Sequence, residues 1–337
     1  MNKLYGAIAA LMLAACTSDG RADADAMRAD AAARAQRDSG TGQGDAGAAS
    51  PAESEPRGLS SVWGSAADDI WAVGEAGTIL HYDGSEWTAS DSPTTTQLMA
   101  VGGSGADDVW AVGLSVVLHW DGSGWTNVFD GVDIMETLLG VWASGPDSVF
   151  MSGFTTDTTR GLLRRWNGSE WSWTEIGRGA MWRVWGSGPT DVWLGGTGET
   201  NGGLIVRGDG STFASVTYEG GSVRGIWGTT PNDVWVLPYE GEAQHWDGDA
   251  WTAYPLPIEQ GLTSLTGTAA TDLWAVGLHG TILHWDGDAW VEQDSDTAAG
   301  LFSVWAANDH DAWAVGEDGI LIHWNGSTWR EKNARIR

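Results

Sequence analysis

Residues 68–88 read DDIWAVGEAGTILHYDGSEWT and bring acids, glycines, a histidine and three large aromatic residues into one short segment. Near copies begin at Thr271 (TDLWAVGLHGTILHWDGDAWV) and at His310 (HDAWAVGEDGILIHWNGSTWR). A catalytic motif is needed once in a domain, whereas a structural unit recurs at a fixed period. The number of copies therefore decides between a motif and a scaffold.

Seven copies are found when the chain is aligned on the large aromatic residue of the WAVG segment: Trp71, Trp110, Phe150, Trp193, Trp235, Trp274 and Trp313. Neighbouring copies lie 39 to 43 residues apart, so units of about 40 residues fill the chain from Leu59 to Arg330. Each unit holds four short runs of alternating large and small residues, separated by Gly- and Asp-rich turns. Four antiparallel strands per repeat predict an all-β fold, a seven-bladed β-propeller.

The repeats resemble those of known propeller families. The third run, such as residues 77–83, resembles the third strand of tryptophan–aspartate (WD) repeats, and the D-G-x-x-W turn from Asp83 to Trp87 resembles the Asp-box (BNR) turn. The WAVGxxGTIL pattern is similar to blades of the photosystem II assembly-factor propellers. These resemblances imply the architecture and no particular family.

The first 57 residues differ from the repeats. Residues 1–15 begin with a positive charge at Lys3 and continue with an apolar run too short to span a bilayer. The sequence LAAC, ending at Cys16, resembles the bacterial lipoprotein signal, which implies cleavage before Cys16 and lipid attachment to it. An ordinary secretory signal is the alternative.

The predicted domains follow from this division. Residues 1–15 are a signal peptide, residues 16–57 a lipidated cysteine and disordered tether, residues 58–330 the propeller, and residues 331–337 a C-terminal tail. The chain is expected to be lipid-anchored in a bacterial cell envelope, periplasmic or on the cell surface. Thr17, rather than Asp, follows the cysteine and favours the outer membrane.

The charge of the chain excludes one class of partner. The formal net charge is −28, with 17 Lys and Arg against 45 Asp and Glu. Such an acidic protein has no general basic face for DNA, RNA or an anionic bilayer. The chain is predicted to be a monomer that meets the membrane only through its lipid.

The residues that look catalytic recur once per blade. The histidine of HWDG has counterparts in every blade: His81, His119, Arg165, Arg207, His245, His284 and His323. Positions spread around a ring cannot converge on one metal ion, so we expect these residues to form hydrogen bonds between blades. The Asp before the second run recurs likewise and is expected to accept turn N–H groups. The sequence predicts no catalytic set, metal or cofactor; calcium at Asp247–Asp249 or Asp286–Asp288 stays open.

Irregular repeats point to the functional region. From the second-run aromatic to the following turn, five blades have 11 or 12 residues, whereas blade three has 17 and blade four has 16. The longest connection between blades, residues 126–136, leads into blade three on the same face. Because the repeat is broken there, we expect the functional surface at blades three to five.

Basic residues are concentrated in the same sector. Between Leu59 and Trp329 they are Arg160, Arg164, Arg165, Arg178, Arg183, Arg207 and Arg224. Four of these, Arg160, Arg178, Arg183 and Arg224, are predicted to approach one another as an anion-binding site, because guanidinium groups bind carboxylates in bidentate fashion. Alternatively they neutralise Asp157, Glu175, Glu199 and Glu219.

Trp173 and Trp182 stand outside the repeat pattern and are candidate aromatic contacts. Together these features favour a membrane-anchored, non-catalytic binding scaffold for a protein or glycan. The alternative is a sialidase-like glycoside hydrolase or a lectin for anionic glycans that uses the arginine cluster. Such a hydrolase needs a Tyr–Glu pair, for which the nearest candidates are Tyr218, Tyr239, Glu219 and Glu240.

Overall fold

The computed structural model describes residues 57–129, 136–156, 160–200, 202–259 and 261–332. These residues form 28 β-strands in seven four-stranded antiparallel sheets, which confirms the predicted seven-bladed propeller. No helix in this part of the chain is long and apolar enough to cross a membrane. Cys16, the signal segment and most of the tether lie outside the described residues.

The strands are numbered β1 to β28 in chain order, and each blade uses four consecutive strands from the inside outward. The innermost are β1 (Leu59–Ala66), β5 (Leu98–Gly105), β9 (Glu136–Gly145), β13 (Ala180–Gly188), β17 (Val223–Thr230), β21 (Leu262–Ala269) and β25 (Leu301–Asn308). The second are β2 (Asp69–Gly74), β6 (Asp108–Gly113), β10 (Ser148–Thr155), β14 (Asp191–Thr197), β18 (Asp233–Pro238), β22 (Asp272–Gly277) and β26 (Asp311–Gly316).

The third strands are β3 (Ile79–Tyr82), β7 (Val116–Trp120), β11 (Arg160–Trp166), β15 (Gly203–Gly208), β19 (Ala243–Trp246), β23 (Ile282–Trp285) and β27 (Leu321–Trp324). The outermost are β4 (Trp87–Ala89), β8 (Trp125–Asn127), β12 (Trp171–Arg178), β16 (Phe213–Val216), β20 (Trp251–Tyr254), β24 (Trp290–Gln293) and β28 (Trp329–Glu331). Single 3-10 turns, Glu75–Gly77, Leu278–Gly280 and Glu317–Gly319, connect second and third strands in blades one, six and seven.

The ring closes without exchanging a strand. Blade one is β1 to β4 and blade seven is β25 to β28, so each is complete by itself. Trp313 of blade seven packs on Tyr82 and Trp87 of blade one, with ring centroids 5.0 and 5.3 Å apart. The Val62 N–H donates to Ser303 Oγ across the same junction, at 3.2 Å. Closure therefore rests on contacts between complete blades, chiefly side-chain packing.

Tryptophan fills the wedge between neighbouring blades. Trp71 of β2 packs on Trp120 and Trp125 of the next blade, with centroids 4.9 and 5.2 Å apart. Trp274 meets Trp324 and Trp329 in the same way, at 5.1 and 5.3 Å. Large flat rings suit this position because the gap between radiating sheets widens outward.

A second contact joins the innermost strands. Positions are counted here from Leu59 and its equivalents Leu98, Leu138, Met181, Val223, Leu262 and Leu301. The Trp at the fifth position lies against the glycine at the sixth position of the next inner strand, where a methyl group would come within 2.6 to 3.0 Å of the indole. The pairs are Trp63–Gly103, Trp142–Gly186, Trp185–Gly228, Trp227–Gly267 and Trp305–Gly64. Where the Trp is replaced, by Gly102 and by Thr266, the next blade carries alanine, Ala143 and Ala306. The glycine is thus the complement of the indole.

Every inner strand also carries a β-bulge near its first residue. The register of β1 passes from Leu59–Gly74 directly to Ser61–Val73, so Ser60 is the extra residue. The equivalent bulged residues are Ser60, Met99, Leu139, Trp182, Arg224, Thr263 and Phe302. Bulges re-aim side chains locally. This ring surrounds the axis at the end of the inner strands that faces the second-to-third strand connections.

The complementarity of Trp305 and Gly64 yields a prediction at the closing junction. We expect Gly64→Ala to lower the free energy of unfolding by about 1–3 kcal/mol, because the new methyl group would lie 2.7 Å from the indole. Combining it with Trp305→Thr should cost at least about 1 kcal/mol less than the sum of the single changes. Denaturant unfolding of the four proteins measures this coupling.

The control is Gly124→Ala, since a methyl group there meets nothing within 4 Å. It should leave the stability nearly unchanged. Strictly additive effects of Gly64→Ala and Trp305→Thr would contradict the proposed complementarity.

Candidate functional site

Four blades repeat a side-chain network with the residue types of a catalytic triad. In blade one the Ser65 hydroxyl donates to Asp69, and Asp69 Oδ1 lies 2.7 Å from His81 Nε2. The His81 ring stacks on Trp71, with centroids 4.1 Å apart. The corresponding sets are Ser104–Asp108–His119, Thr229–Asp233–His245 and Thr268–Asp272–His284.

Each of these histidines forms its hydrogen bond within its own blade, so the prediction that the histidines link neighbouring blades is wrong. Trp71 and His81 are paired residues on neighbouring strands, and Asp69 lies two residues before Trp71 on the same face. The imidazole therefore reaches the carboxylate of its own blade. The prediction is confirmed for the two arginines at the equivalent position: Arg165 Nη1 donates to Gly210 O of the next blade at 2.8 Å, and Arg207 Nη2 to Pro231 O at 3.3 Å.

The hydrogen-bond partners in this network differ from those of a catalytic triad. The hydroxyl donates to the carboxylate rather than to the imidazole, so the histidine is not placed to remove the hydroxyl proton. Burial opposes ionisation of Asp108, but hydrogen bonds from His119, Ser104 and Trp110 outweigh it and lower the pKa of the carboxyl. The Asp thus accepts side-chain donors, not the turn N–H groups expected from the sequence.

The Asp-Gly turns use their carboxylates for the backbone. Asp247 Oδ1 accepts the N–H groups of Asp249 and Ala250, at 2.9 and 2.8 Å. In the equivalent turn, the Ser85 hydroxyl and the N–H groups of Glu86 and Ser85 lower the pKa of Asp83 to about 2. Within the described residues, no group of three or more His, Cys, Asp or Glu side chains is placed to hold a metal ion.

Two of the four candidate arginines pair with glutamates on the surface. Arg160 and Arg178 lie opposite each other at the end of the β11–β12 hairpin. Arg160 forms an ion pair with Glu175, and Arg178 Nη1 lies 3.3 Å from Glu199 Oε1. For these two residues the neutralisation alternative describes the geometry.

Arg183 and Arg224 converge near the propeller axis. Arg183 Nη2 donates to Thr263 O at 2.8 Å, so its side chain reaches from blade four to blade six. The Arg224 guanidinium lies 3.8 Å from the ring centroid of Trp182 and 5.7 Å from that of Tyr239. Burial, and next the charge of Arg224, lower the pKa of Arg183 to about 10.

Trp182 is the platform of this cluster. It is only 7 % exposed, whereas Trp173 on β12 is 61 % exposed. The Trp182 indole N–H donates to Thr197 Oγ1 at 2.8 Å, and Thr197 Oγ1 lies 2.5 Å from Ser222 Oγ. These bonds fix the ring that Arg224 covers. We call Trp182, Arg183, Arg224 and Tyr239 the axial arginine cluster.

Thr197 and Ser222 were not predicted from the sequence, and Tyr239 was considered there only for a hydrolase Tyr–Glu pair. The position directly after Leu59 and its equivalents differs in all seven blades, whereas Leu59 and its equivalents are always apolar. Trp182 and Arg224 occupy that bulged position in neighbouring blades. Side-chain variation within an otherwise uniform repeat marks this end of the axis.

The four residues considered for a hydrolase differ in their exposure to solvent. Tyr218 is largely buried, and burial raises the pKa of its hydroxyl well above the usual value. Glu219 and Glu240 are exposed. Tyr239 is buried beside Arg224.

Comparison with known proteins identifies the architecture. No family model matches the chain, and no curated protein shows significant similarity to it. YCF48 from Cyanidioschyzon merolae is 16 % identical with a TM-score of 0.60, covering 81 % of this chain and 97 % of that one. YCF48 bound to D1 peptide gives 17 % and 0.63, covering 80 % and 94 %. The WD40 β-propeller domain of Doa1 gives 9 % and 0.67, covering 85 % and 97 %. At these identities the likeness establishes the fold alone.

The lowered pKa values of Asp108 and Asp272 predict an acid-sensitive fold. Each folded-state pKa lies below the ordinary value of 3.8, so the carboxylates stabilise the fold above that pH and lose this contribution as the pH falls through the folded-state pKa. The double variant Asp108→Asn, Asp272→Asn should have a lower Tm at pH 7 and a shallower fall of Tm below pH 4. Thermal unfolding followed by circular dichroism measures both.

The control for this experiment is Asp249→Asn, at an exposed turn outside the networks. It should reproduce the unaltered pH dependence. An acid slope in the double variant equal to that of the unaltered protein would contradict the assignment.

Proposed function

We propose that this chain is a non-catalytic binding module that presents the axial arginine cluster to a protein partner. The observation that carries the proposal is the convergence of Arg183 and Arg224 on Trp182. Two guanidinium groups close together on a chain of net charge −28 attract anions at one place and repel them elsewhere.

The chemistry favours a carboxylate-bearing peptide segment. Arg183 donates hydrogen bonds to the carbonyl oxygens of Trp182 and Thr263, and these bonds orient its guanidinium. The guanidinium has further N–H groups that can donate to a ligand. Guanidinium donors match the two oxygens of a carboxylate, and the buried Trp182 and Tyr239 rings hold the Arg224 guanidinium in position. The neighbouring propeller YCF48 is known with a D1 peptide bound, so this architecture accommodates a peptide.

The same proposal places the module outside the cytoplasmic membrane. Its support is the LAAC sequence ending at Cys16, which implies a lipid anchor in the bacterial envelope, and the polar segment between the anchor and the propeller. Labelled palmitate should enter the full chain and not Cys16→Ser. Labelling of both would remove the anchor from the proposal.

An anionic glycan is the alternative ligand of the same cluster. The carboxylate of an acidic sugar offers the same two oxygens to Arg183 and Arg224, and Trp182 lies beside them. A hydrolase is less well supported, because burial raises the pKa of Tyr218 and makes it a poor nucleophile.

Peptide arrays test the proposal directly. Residues 58–337 should bind acidic peptides more tightly than neutral or basic ones, with affinity falling as salt rises. Arg183→Gln should reduce that affinity at least tenfold, because one of two converging charges is removed. Affinities are measured by fluorescence anisotropy on the array hits, and acidic oligosaccharides are tested in parallel.

The matched control is Arg178→Gln, which removes an exposed arginine paired with Glu199 outside the cluster. It should bind as the unaltered protein does. Equal loss in both variants, or no preference for acidic peptides, would reject the cluster as the site. Binding of acidic sugars alone would replace the peptide by the glycan.

A further inference from the structure

A groove lies at the junction of blades one and two, away from blades four and five, which carry the axial arginine cluster. One wall is residues 90–93, which follow β4, and the other is the β7–β8 hairpin with Trp120, Ser123 and Trp125. Its volume is about 450 Å³. Small-molecule sites have volumes of roughly 300–1,000 Å³.

The indole of Trp120 is a fixed and partly exposed surface in this groove. Its N–H donates to Ala106 O at 3.2 Å, and the ring packs on Trp71 and Trp125 with centroids 4.9 and 5.9 Å away. These contacts hold the ring without covering it. Its position is therefore set before any ligand arrives.

The facing wall is polar. Asp91 is exposed, Ser90 is partly exposed, and Ser123 on the hairpin is exposed. The Ser92 hydroxyl donates to Thr94 O at 3.1 Å, which braces the loop. An indole on one side and a carboxylate with hydroxyl groups on the other form a surface with both apolar and hydrogen-bonding character.

The junction of blades six and seven is the equivalent of the junction of blades one and two and can be compared with it. Residues 290–301, WVEQDSDTAAGL, match residues 87–98, WTASDSPTTTQL, without a gap, and Ser295 repeats the bond of Ser92 by donating to Thr297 O at 3.1 Å. There Arg330 Nη1 lies 3.1 Å from Asp296 Oδ2 and joins the two walls. The equivalent residues at the first junction are Pro93 and Thr126, which cannot form an ion pair. The groove between blades one and two therefore lacks the ion pair that connects the two walls at the junction of blades six and seven.

We propose that the groove between blades one and two binds a neutral carbohydrate. The C–H face of a pyranose packs on the negative face of an indole, and its hydroxyl groups donate to a carboxylate such as Asp91. An anionic sugar is excluded by Asp91 and by the charge of the whole chain. This site does not depend on the axial arginine cluster.

Affinity electrophoresis tests the site with defined probes. Native gels contain galactomannan, xyloglucan, pullulan or a soluble β-1,3-glucan, and alginate serves as the anionic comparison. Residues 58–337 should be retarded by at least one neutral polysaccharide and not by alginate. Asp91→Ala should weaken that retardation at least tenfold in apparent Kd.

A closing variant tests the groove without disturbing the aromatic packing. Pro93→Asp with Thr126→Arg copies the Asp296–Arg330 pair of the other junction and should abolish retardation. Asp294→Ala, the counterpart of Asp91→Ala at the bridged junction, should be retarded as the unaltered protein is. Thermal unfolding confirms that each variant is folded.

The outcomes are decisive. Retardation that is lost in Asp91→Ala and in the closing variant but kept in Asp294→Ala supports the site. Absence of retardation by every neutral probe, retardation by alginate alone, or full binding by the closing variant would overturn it.

Discussion

The fold depends on how each second-strand tryptophan is held on both faces. Trp71 stacks on His81 of its own blade on one side and meets Trp120 and Trp125 of the next blade on the other. The histidine is in turn fixed by Asp69. One residue thus couples the polar network inside a blade to the apolar contact between blades. Because the last blade meets the first through the same contact, the ring closes by repetition of this unit.

The exceptions show that the unit tolerates substitution only in matched sets. Phe150 replaces the tryptophan in blade three, where Arg165 takes the place of the histidine and its guanidinium lies 5.4 Å from the ring. Arg207 covers Trp193 likewise, at 4.6 Å. Both arginines are longer than histidine and reach a carbonyl oxygen in the next blade. The same rule governs the inner strands, where alanine follows wherever the indole is missing. These are packing constraints, and they explain most of the sequence regularity without any reference to function.

The period and its turns were sufficient to predict the architecture, but not the direction of side chains. Seven equivalent aromatics imply seven blades, and the strand limits follow from glycine and aspartate at the turns. Whether His81 bonds within or between blades depends on its being paired with Trp71 across the two strands, a register that the repeat alone does not specify. The convergence of Arg183 with Arg224 was predicted with Arg160 and Arg178 in the same group. The latter two pair with Glu175 on the same hairpin and with Glu199 in the β14–β15 connection of blade four. The long strand β12 that places them there is peculiar to blade three.

The bulge in each inner strand separates residues whose size is constrained by strand pairing from one residue whose identity varies between blades. The residues on either side of it keep the ladder to the second strand, so their sizes are constrained by packing. The extra residue is released from that pairing, and it differs in every blade: Ser60, Met99, Leu139, Trp182, Arg224, Thr263 and Phe302. A side chain outside the strand pairing can vary without disturbing the ladder of backbone hydrogen bonds. The axial arginine cluster uses two adjacent members of this ring, and Arg183, the next residue after one bulge, bonds to the carbonyl of a third. In the proposed binding module, specificity at this end of the propeller would reside in the bulged positions, while the rest of each blade supplies the frame.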